Sequence, residues 1–520
     1  MLKKQKNAEG NRMRSFKTIG VVGVGAMGKG IVQIAAQSGF TVLIFDQQSD
    51  AVHAARAALE KTWATLVNKG KMTEAAAQSA IGRVHTAQTL SELADCDLVI
   101  EAIIERLEPK QALFKELEGV VSSECALVSN TSSLSITAIA SACAHPERVA
   151  GYHFFNPVPL MKVVEVIDGL RSDPAVGDAL MALTQKMGHT PVRCKDMPGF
   201  IVNHAGRGLG TEGLRTIQEG VTDFEGLDTI MREQCGFRMG PFELMDLTGL
   251  DVSHPVMESI YHQFYEEQRF RPSPITALRV AGGLYGRKTG AGFYEYPDGK
   301  KRESALAVTP EVEALPAVWV SPAHSKGQVM AINLFKSLGA SIQTGSDPDA
   351  RSLIVVTPYG QDVSTAVSEQ GLDAARTVGI DTFGSIEPAR RRTLMLSPAT
   401  ESQWRDKAHA LLARDGIAVS VIQDSPGFVA QRILAMIVNI GCEIAQQGIA
   451  SPSDIDRAVM LGLNYPAGPL SLGDSLEPAR IYEILKNMHA VTGDMRYRPS
   501  LWLQRRVQLG MSLLETSLTT

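Results

Sequence analysis

The stretch GYHFFNPVPLMKVVEV at 151–166 sets His153 and Glu165 among residues that read as core, with two prolines between them. An imidazole and a carboxylate are costly to bury unless they are paired. Such a pair is either a satisfied structural contact or a base with the acid that orients it. Neutral imidazole suits proton abstraction near neutral pH. A carboxylate on its other nitrogen would fix the tautomer and stabilise the imidazolium that forms.

A second set of residues points to a dinucleotide. GVGAMG at 23–28 has the spacing G-x-G-x-x-G, with Gly23, Gly25 and Gly28. The first glycine permits a tight turn, the second lets a pyrophosphate approach the backbone, and the third allows close packing of helix on strand. Ala26 and Met27 follow the second glycine at the start of the helix, where free N–H groups and the helix dipole favour an anion. Asp46 follows eighteen residues after Gly28, at the end of TVLIFD. A carboxylate there hydrogen-bonds the ribose of NAD and repels the 2′-phosphate of NADP. Glycine-rich turns also exist for packing alone, but here the strand, the helix and the acid are all in place.

These residues need elements to hold them. Residues 17–22 read as a strand, 26–38 as a helix ended by Gly39, and TVLIFD as a second buried strand. A long helical stretch follows over 50–80, carrying Thr62 and Lys69. CDLVIEAI (96–103), CALVSN (125–130), RVAGYHFF (148–155) and KVVEVI (162–167) read as further strands, with helical segments such as 107–119 between them. Strands alternating with helices imply a parallel, doubly wound sheet of the Rossmann type. Ligands of such sheets bind beyond the carboxyl ends of the strands. Ser132 and His153 both fall there.

The chain resembles the 3-hydroxyacyl-CoA dehydrogenase family over most of its length. The resemblance rests on GVGAMG, SNTSSLSI (129–136), HFFNPVPLMKVVEV (153–166), MPGFIVNH (197–204) and YGRKTGAGFYEY (285–296), in that order. It implies that His153, Glu165, Ser132 and Asn203 surround the 3-hydroxyl of an acyl-CoA and carry its NAD-dependent oxidation. It further implies NAD contacts from Glu105, Lys110, Asn156 and Lys288, besides the turn and Asp46. Lys288 would reach back over the site from the next domain. Thr62 and Lys69, with Ser132, would meet the CoA substrate; threonine keeps a hydroxyl and lysine suits a phosphate. A non-catalytic NAD- or acyl-CoA-binding protein on the same scaffold would need no base. A β-hydroxyacid dehydrogenase acting on free acids would use a catalytic lysine, which HFFNP does not match.

With 520 residues the chain holds several domains, and 44% hydrophobic and 21% charged content is ordinary for a soluble protein. A net charge of -5 gives no reason to expect nucleic acid or a membrane as partner. No apolar run reaches bilayer length. Six cysteines without metal-like spacing suggest no metal and a reducing cytoplasm. Residues 1–14 are basic and polar and read as a disordered tail, with Met13 an alternative start.

The expected domains are 15–196 (dinucleotide-binding), 197–296 (helical), a Pro-rich linker over 297–324, a reduced α/β unit over 325–423 and a second helical domain over 424–520. The last two come from an internal repeat at an offset of 228 residues. DMPGF (196–200) recurs as DSPGF (424–428), Gly220 as Gly448, Asp228 as Asp456, and GPFELMD (240–246) as GPLSLGD (468–474). The reduced unit lacks a G-x-G-x-x-G turn. At this offset His153 becomes Asp381, Glu165 becomes Thr393, Ser132 becomes Gly360 and Asn203 becomes Gln431. One active site per chain is therefore expected. The two-copy layout resembles bacterial 3-hydroxybutyryl-CoA or 3-hydroxyadipyl-CoA dehydrogenases of phenylacetate-type catabolism. Expected partners are the acyl-CoA and further copies of the chain, with the helical copies pairing within one chain.

Overall fold

A computed structural model describes residues 15–303, 308–383 and 390–516. The tail expected over 1–14 lies outside them. The chain divides into two compact units. One runs to His204 and takes in Gln447–Leu463; the other holds Ala205–Gln446 and continues from Asn464. No helix among the described residues is long and apolar enough to cross a membrane.

The first unit is built on an eight-stranded sheet. Its strands are β1 (Thr18–Val22), β2 (Thr41–Phe45), β3 (Val84–Thr86), β4 (Leu98–Glu101), β5 (Ala126–Ser129), β6 (Val149–Phe154), β7 (Val163–Asp168) and β8 (Thr190–Lys195), in the order β3-β2-β1-β4-β5-β6-β7-β8. Helices α1 (Ala26–Gln37), α2 (Ser49–Asn68), α3 (Glu74–Gly82), α4 (Leu107–Val120), α5 (Ile136–Ala140) and α6 (Pro174–Lys186) connect them, and α7 (Val202–Ala205) ends the unit's first segment. The strands are continuous apolar runs because both faces of the sheet are buried. Strand order reverses between β1 and β4, which opens the crevice where doubly wound sheets take ligands.

Two expectations need correction. The sheet is parallel except for β6 and β7, which run antiparallel. Residues 155–162 contain no helix, and a parallel return needs a crossover of roughly a dozen residues or more. The stretch read as one helix over 50–80 is two, α2 and α3. Gly70 turns the chain with φ 65°, and the Thr73 side chain caps α3 by accepting from the Ala76 N–H.

The second unit holds α8 (Arg207–Gln218), α9 (Phe224–Glu233), α10 (Pro241–Thr248), α11 (Leu250–Gln263) and α12 (Pro274–Ala281), followed by a five-stranded sheet. Its strands are β9 (Val318–Val320), β10 (Leu353–Val356), β11 (Thr377–Ile380), β12 (Arg391–Leu396) and β13 (Ala418–Ile422), in the order β13-β12-β11-β10-β9. Helices α13 (Ser325–Ser337), α14 (Val363–Gln370) and α15 (Ser402–Leu412) connect them. Then come α16 (Val429–Gln446), α17 (Pro452–Leu463, the insert that joins the first unit), α18 (Pro469–Ser475), α19 (Pro478–Thr492) and α20 (Leu501–Leu509). β9 falls inside the stretch read as linker. Three residues flanked by prolines are too short to show a strand's periodicity.

Only β11 and β12 are antiparallel in this sheet. Its order therefore repeats β8-β7-β6-β5-β4, and β12 lies 228 residues after β7. Counterparts of β1, β2 and β3 are absent among the described residues, and with them the glycine turn.

Within the second unit α8 and α16 approach closely. A Cβ on Gly208 of α8 would come within 2.8 Å of the Ile437 Cα in α16, so the two backbones nearly touch. Nearly every residue of α16 is buried. Beside this contact, the buried Glu212 carboxylate meets Arg432 at 2.8 Å and Arg496 at 3.2 Å, and accepts from the Tyr497 hydroxyl at 2.9 Å.

Candidate active site

The glycine turn follows β1 at the strand reversal. Gly23 has φ 94°, and a Cβ on Gly28 would sit 1.9 Å from the Gly23 carbonyl oxygen. Both are therefore explained by the chain's own packing. Gly25 is not: its φ is -62°, and a Cβ there would meet nothing within 4 Å. Its bare backbone faces open space at the N-terminus of α1, whose first turn carries no acid. Room and free N–H groups are what a pyrophosphate requires, so these residues fit NAD.

Asp46 follows β2. Its carboxylate accepts from the Val24 N–H and the Gln48 N–H, each at 3.1 Å, and so ties the turn to the neighbouring strand end. A 2′-phosphate would approach this fixed negative charge, with no arginine in FDQQSD to meet it. NAD is expected to be preferred over NADP strongly. Comparable kcat/KM values with the two cofactors would contradict the role given to Asp46.

The ends of β4 and β5 carry a polar cluster. Glu101, wholly buried at the end of β4, pairs with Lys110 of α4 at 2.6 Å and accepts from the Ser129 hydroxyl at 2.6 Å. Lys110 also lies 3.3 Å from Glu105. Glu105 Oε1 accepts from the Thr131 hydroxyl (2.6 Å), the Ser132 N–H (2.8 Å), the Ser133 N–H (3.1 Å) and the Ser133 hydroxyl (3.0 Å). Burial pushes this carboxyl up, but Lys110 and these donors outweigh it and hold the group below the usual range. Glu105 thus fixes the 131–133 loop. Lys110 is 1% exposed, so its ammonium serves Glu101 and Glu105 from inside. Glu101 was missed from sequence, although an acid closing the apolar run LVIE was the signal.

The antiparallel register sets His153 directly opposite Glu165. Their side chains share one face, and His153 Nδ1 lies 2.6 Å from Glu165 Oε2. Glu165 is wholly buried. Its other oxygen accepts from the Ile201 and Val202 N–H groups, each at 2.9 Å. Three donors thus surround a carboxylate with no access to water. Bonding at Nδ1 leaves Nε2 as the nitrogen available to a substrate. The Asn130 side chain accepts from the Phe154 N–H at 2.9 Å, which ties the end of β5 to the end of β6. Asn203 donates to the Ser132 carbonyl at 3.2 Å. Ser132 and Asn203 are therefore neighbours, as His153 and Glu165 are.

The remaining predicted residues are more dispersed. Asn156 is exposed just beyond β6. Thr62 and Lys69 are exposed at and just past the last turns of α2, and the Thr62 hydroxyl donates to the Ala58 carbonyl of its own helix at 2.8 Å. Lys288 belongs to the second unit, where it forms an ion pair with Asp251.

Comparison with known proteins gives one pattern. Residues 18–197 match the family model described as 3-hydroxyacyl-CoA dehydrogenase, NAD binding domain. Residues 199–296 and, again, 427–516 match the 3-hydroxyacyl-CoA dehydrogenase C-terminal domain. The chain is 37% identical over 499 residues to 3-hydroxyadipyl-CoA dehydrogenase of Escherichia coli (strain K12), covering 96% of this chain and 98% of the relative. It is 43% identical over 277 residues to a probable 3-hydroxybutyryl-CoA dehydrogenase of Deinococcus radiodurans, covering 53% of this chain and 99% of that one. The crystal structure of 3-hydroxybutyryl-CoA dehydrogenase from Escherichia coli K12 superposes with a TM-score of 0.84 at 35% identity, covering 95% of this chain and 99% of that one. A glycine turn fit for a dinucleotide, a matched NAD-binding domain and a twice-matched C-terminal domain all agree: the chain belongs to the 3-hydroxyacyl-CoA dehydrogenase family.

Proposed function

We propose that this NAD-dependent dehydrogenase oxidises (3S)-3-hydroxybutyryl-CoA or (3S)-3-hydroxyadipyl-CoA to the 3-oxoacyl-CoA, in the breakdown of fatty acids or of aromatic acids such as phenylacetate. The observation that carries the chemistry is the buried pair His153–Glu165 at the strand ends. Glu165 holds the Nδ1–H, so His153 Nε2 takes the proton of the 3-hydroxyl. The Glu165 carboxylate, held by the Ile201 and Val202 N–H groups, stabilises the imidazolium that results. Ser132 and Asn203 hydrogen-bond the substrate oxygen and hold it in line with Nε2. NAD, when bound, supplies the acceptor for the electron pair of the C3–H bond. In the reverse direction His153 returns the proton. Thr62 and Lys69 meet the CoA moiety, and Asn156 the NAD. The test is NADH production with 3-hydroxybutyryl-CoA, 3-hydroxyadipyl-CoA and longer 3-hydroxyacyl-CoAs. The expected kcat/KM is highest with one of the first two; a higher value with long chains would overturn the substrate assignment.

The reading gives one site per chain. The second sheet lacks the dinucleotide turn, and the residues at the repeat positions form a closed network. Gln431 donates to Asp381 at 3.0 Å and accepts from the Gly360 N–H at 2.9 Å. Gln234 donates to Asp381 at 2.8 Å and accepts from the Thr393 hydroxyl at 2.6 Å. Burial pushes the Asp381 carboxyl up to about 6. Calorimetric titration with NADH is expected to give a stoichiometry near one per chain; a value of two would reject the single site. The helical copies pair within the chain, the second covering the apolar face of the first.

A further inference from the structure

Helices α9 and α17 are the same helix in the two copies, since Phe224–Glu233 shifted by 228 residues falls on 452–461. Each meets a strand of the other copy. In the second unit the end of α9 meets β12: the Glu233 carboxylate takes the Arg391 guanidinium at 2.8 Å, and the Glu233 carbonyl accepts from the Arg390 N–H at 3.2 Å. The next residue, Gln234, fills the space between Asp381 and Thr393. In the first unit α17 and the turn before it meet β7 and β8. The Lys195 N–H donates to the Ile449 carbonyl at 2.8 Å, and Cys194 bridges Ala450.

The position of Gln234 falls on Gly462. This glycine lies inside α17, where alanine would be the better helix former. A Cβ there would meet Val202 Cγ2 at 2.9 Å, Val202 Cγ1 at 3.0 Å and Val163 Cγ1 at 3.6 Å. Valine is stiff about χ1, so these methyls do not swing aside freely. Val202 is also the residue whose N–H donates to Glu165 Oε1 at 2.9 Å. The contact therefore runs from Gly462 through Val202 to Glu165 and on to His153.

We propose that α17, supplied by the second copy, is the seat that sets the donors of Glu165, and that Gly462 is a positioning residue for the His153–Glu165 pair. The close approach requires glycine: any side chain at 462 lifts Val202 and its N–H away from the carboxylate. Glu165 then shifts, and His153 Nε2 shifts with it. The second copy thereby acts on the chemistry without touching substrate or cofactor. The inference rests on the reading of His153–Glu165 as the working pair.

Gly462→Val is expected to lower kcat with 3-hydroxybutyryl-CoA and NAD by roughly tenfold to a hundredfold, the range for a displacement of about 1 Å in a reacting geometry. NADH titrated by fluorescence should bind as in the parent, because the dinucleotide turn lies on β1 and α1. Adding Val202→Ala makes room and should recover most of kcat. In a Glu165→Gln background the glycine substitution should lose nothing further, since the carboxylate it positions is gone. Gly462→Ala replaces Gly462→Val if the valine variant does not fold. Parental kcat in the glycine variants, with Glu165→Gln impaired, overturns the seat and leaves the pair standing. Parental kcat in Glu165→Gln overturns the pair and the seat together. A glycine effect that adds fully to Glu165→Gln, or that weakens NADH binding in step with kcat, overturns the positioning role.

Discussion

Replacing His153 with glutamine is expected to lower kcat by about 10²–10⁴-fold, the usual contribution of a general base. Glutamine can still offer an N–H to Glu165, but it has no basic nitrogen to take the hydroxyl proton. The environment should survive the change. Glu165 keeps its bonds from the Ile201 and Val202 N–H groups, and the flanking strand remains paired along β5 and β7. NADH affinity should barely move, because the glycine turn and Asp46 lie on β1, α1 and β2. Single-turnover measurement of NADH formation separates this loss from product release. A variant with near-parental kcat would reject the base assignment.

Truncation after Tyr296 is the second large expectation. The cut falls where the first helical copy closes on itself: the Asp246 carboxylate accepts from the Phe293 N–H, the Tyr294 N–H and the Tyr296 hydroxyl. What the truncated chain loses is the cover over α8. Without α16, Gly208 and its neighbours face water. Glu212, wholly buried in the full chain, loses Arg432, Arg496 and Tyr497 together. The apolar face that α16 buried is returned to water, and the stabilisation that came from burying it is lost. The truncated chain should aggregate or self-associate, with activity impaired indirectly. Light scattering during size-exclusion chromatography reads the outcome. A monomeric, soluble and fully active product would overturn the pairing of the helical copies within one chain.

The fold class was legible because its signals are local. A glycine turn between an apolar run and a helical period needs only thirty or so residues of context, and the 228-residue repeat needs only alignment of the chain with itself. What escaped depends on distant partners. The antiparallel return of β7 was hidden because KVVEVI reads the same in either direction, and only the missing helix over 155–162 distinguishes them. β8 carries a proline and an arginine that break its apolar pattern, and β9 is too short to have one. His153 and Glu165 could be suspected of pairing from their setting. That they lie opposite one another follows from sheet register, and that the Ile201 and Val202 N–H groups reach Glu165 follows from the packing of a later segment against the strand. Glu101 was overlooked because a strand-end acid is usually exposed, and nothing nearby in sequence signals that Lys110 lies against it.

The insertion of α17 into the first unit has a consequence for the order of synthesis. Domains usually fold as they leave the ribosome, N-terminal first, at about 5–20 residues per second. The first sheet has all its strands once residue 195 has emerged, yet the segment that bridges Cys194 and lies against Val202 is residues 447–463. The delay is on the order of ten to fifty seconds at these rates. During it, the parts of β7 and β8 that α17 packs against lack that cover, and the helix that will provide it does not yet exist. Such long-range closure is slow for the same reason that high contact order is slow. The His153–Glu165 pair should therefore mature late, reaching its final setting only when nearly the whole chain has been made, although both residues were synthesised in the first third of it.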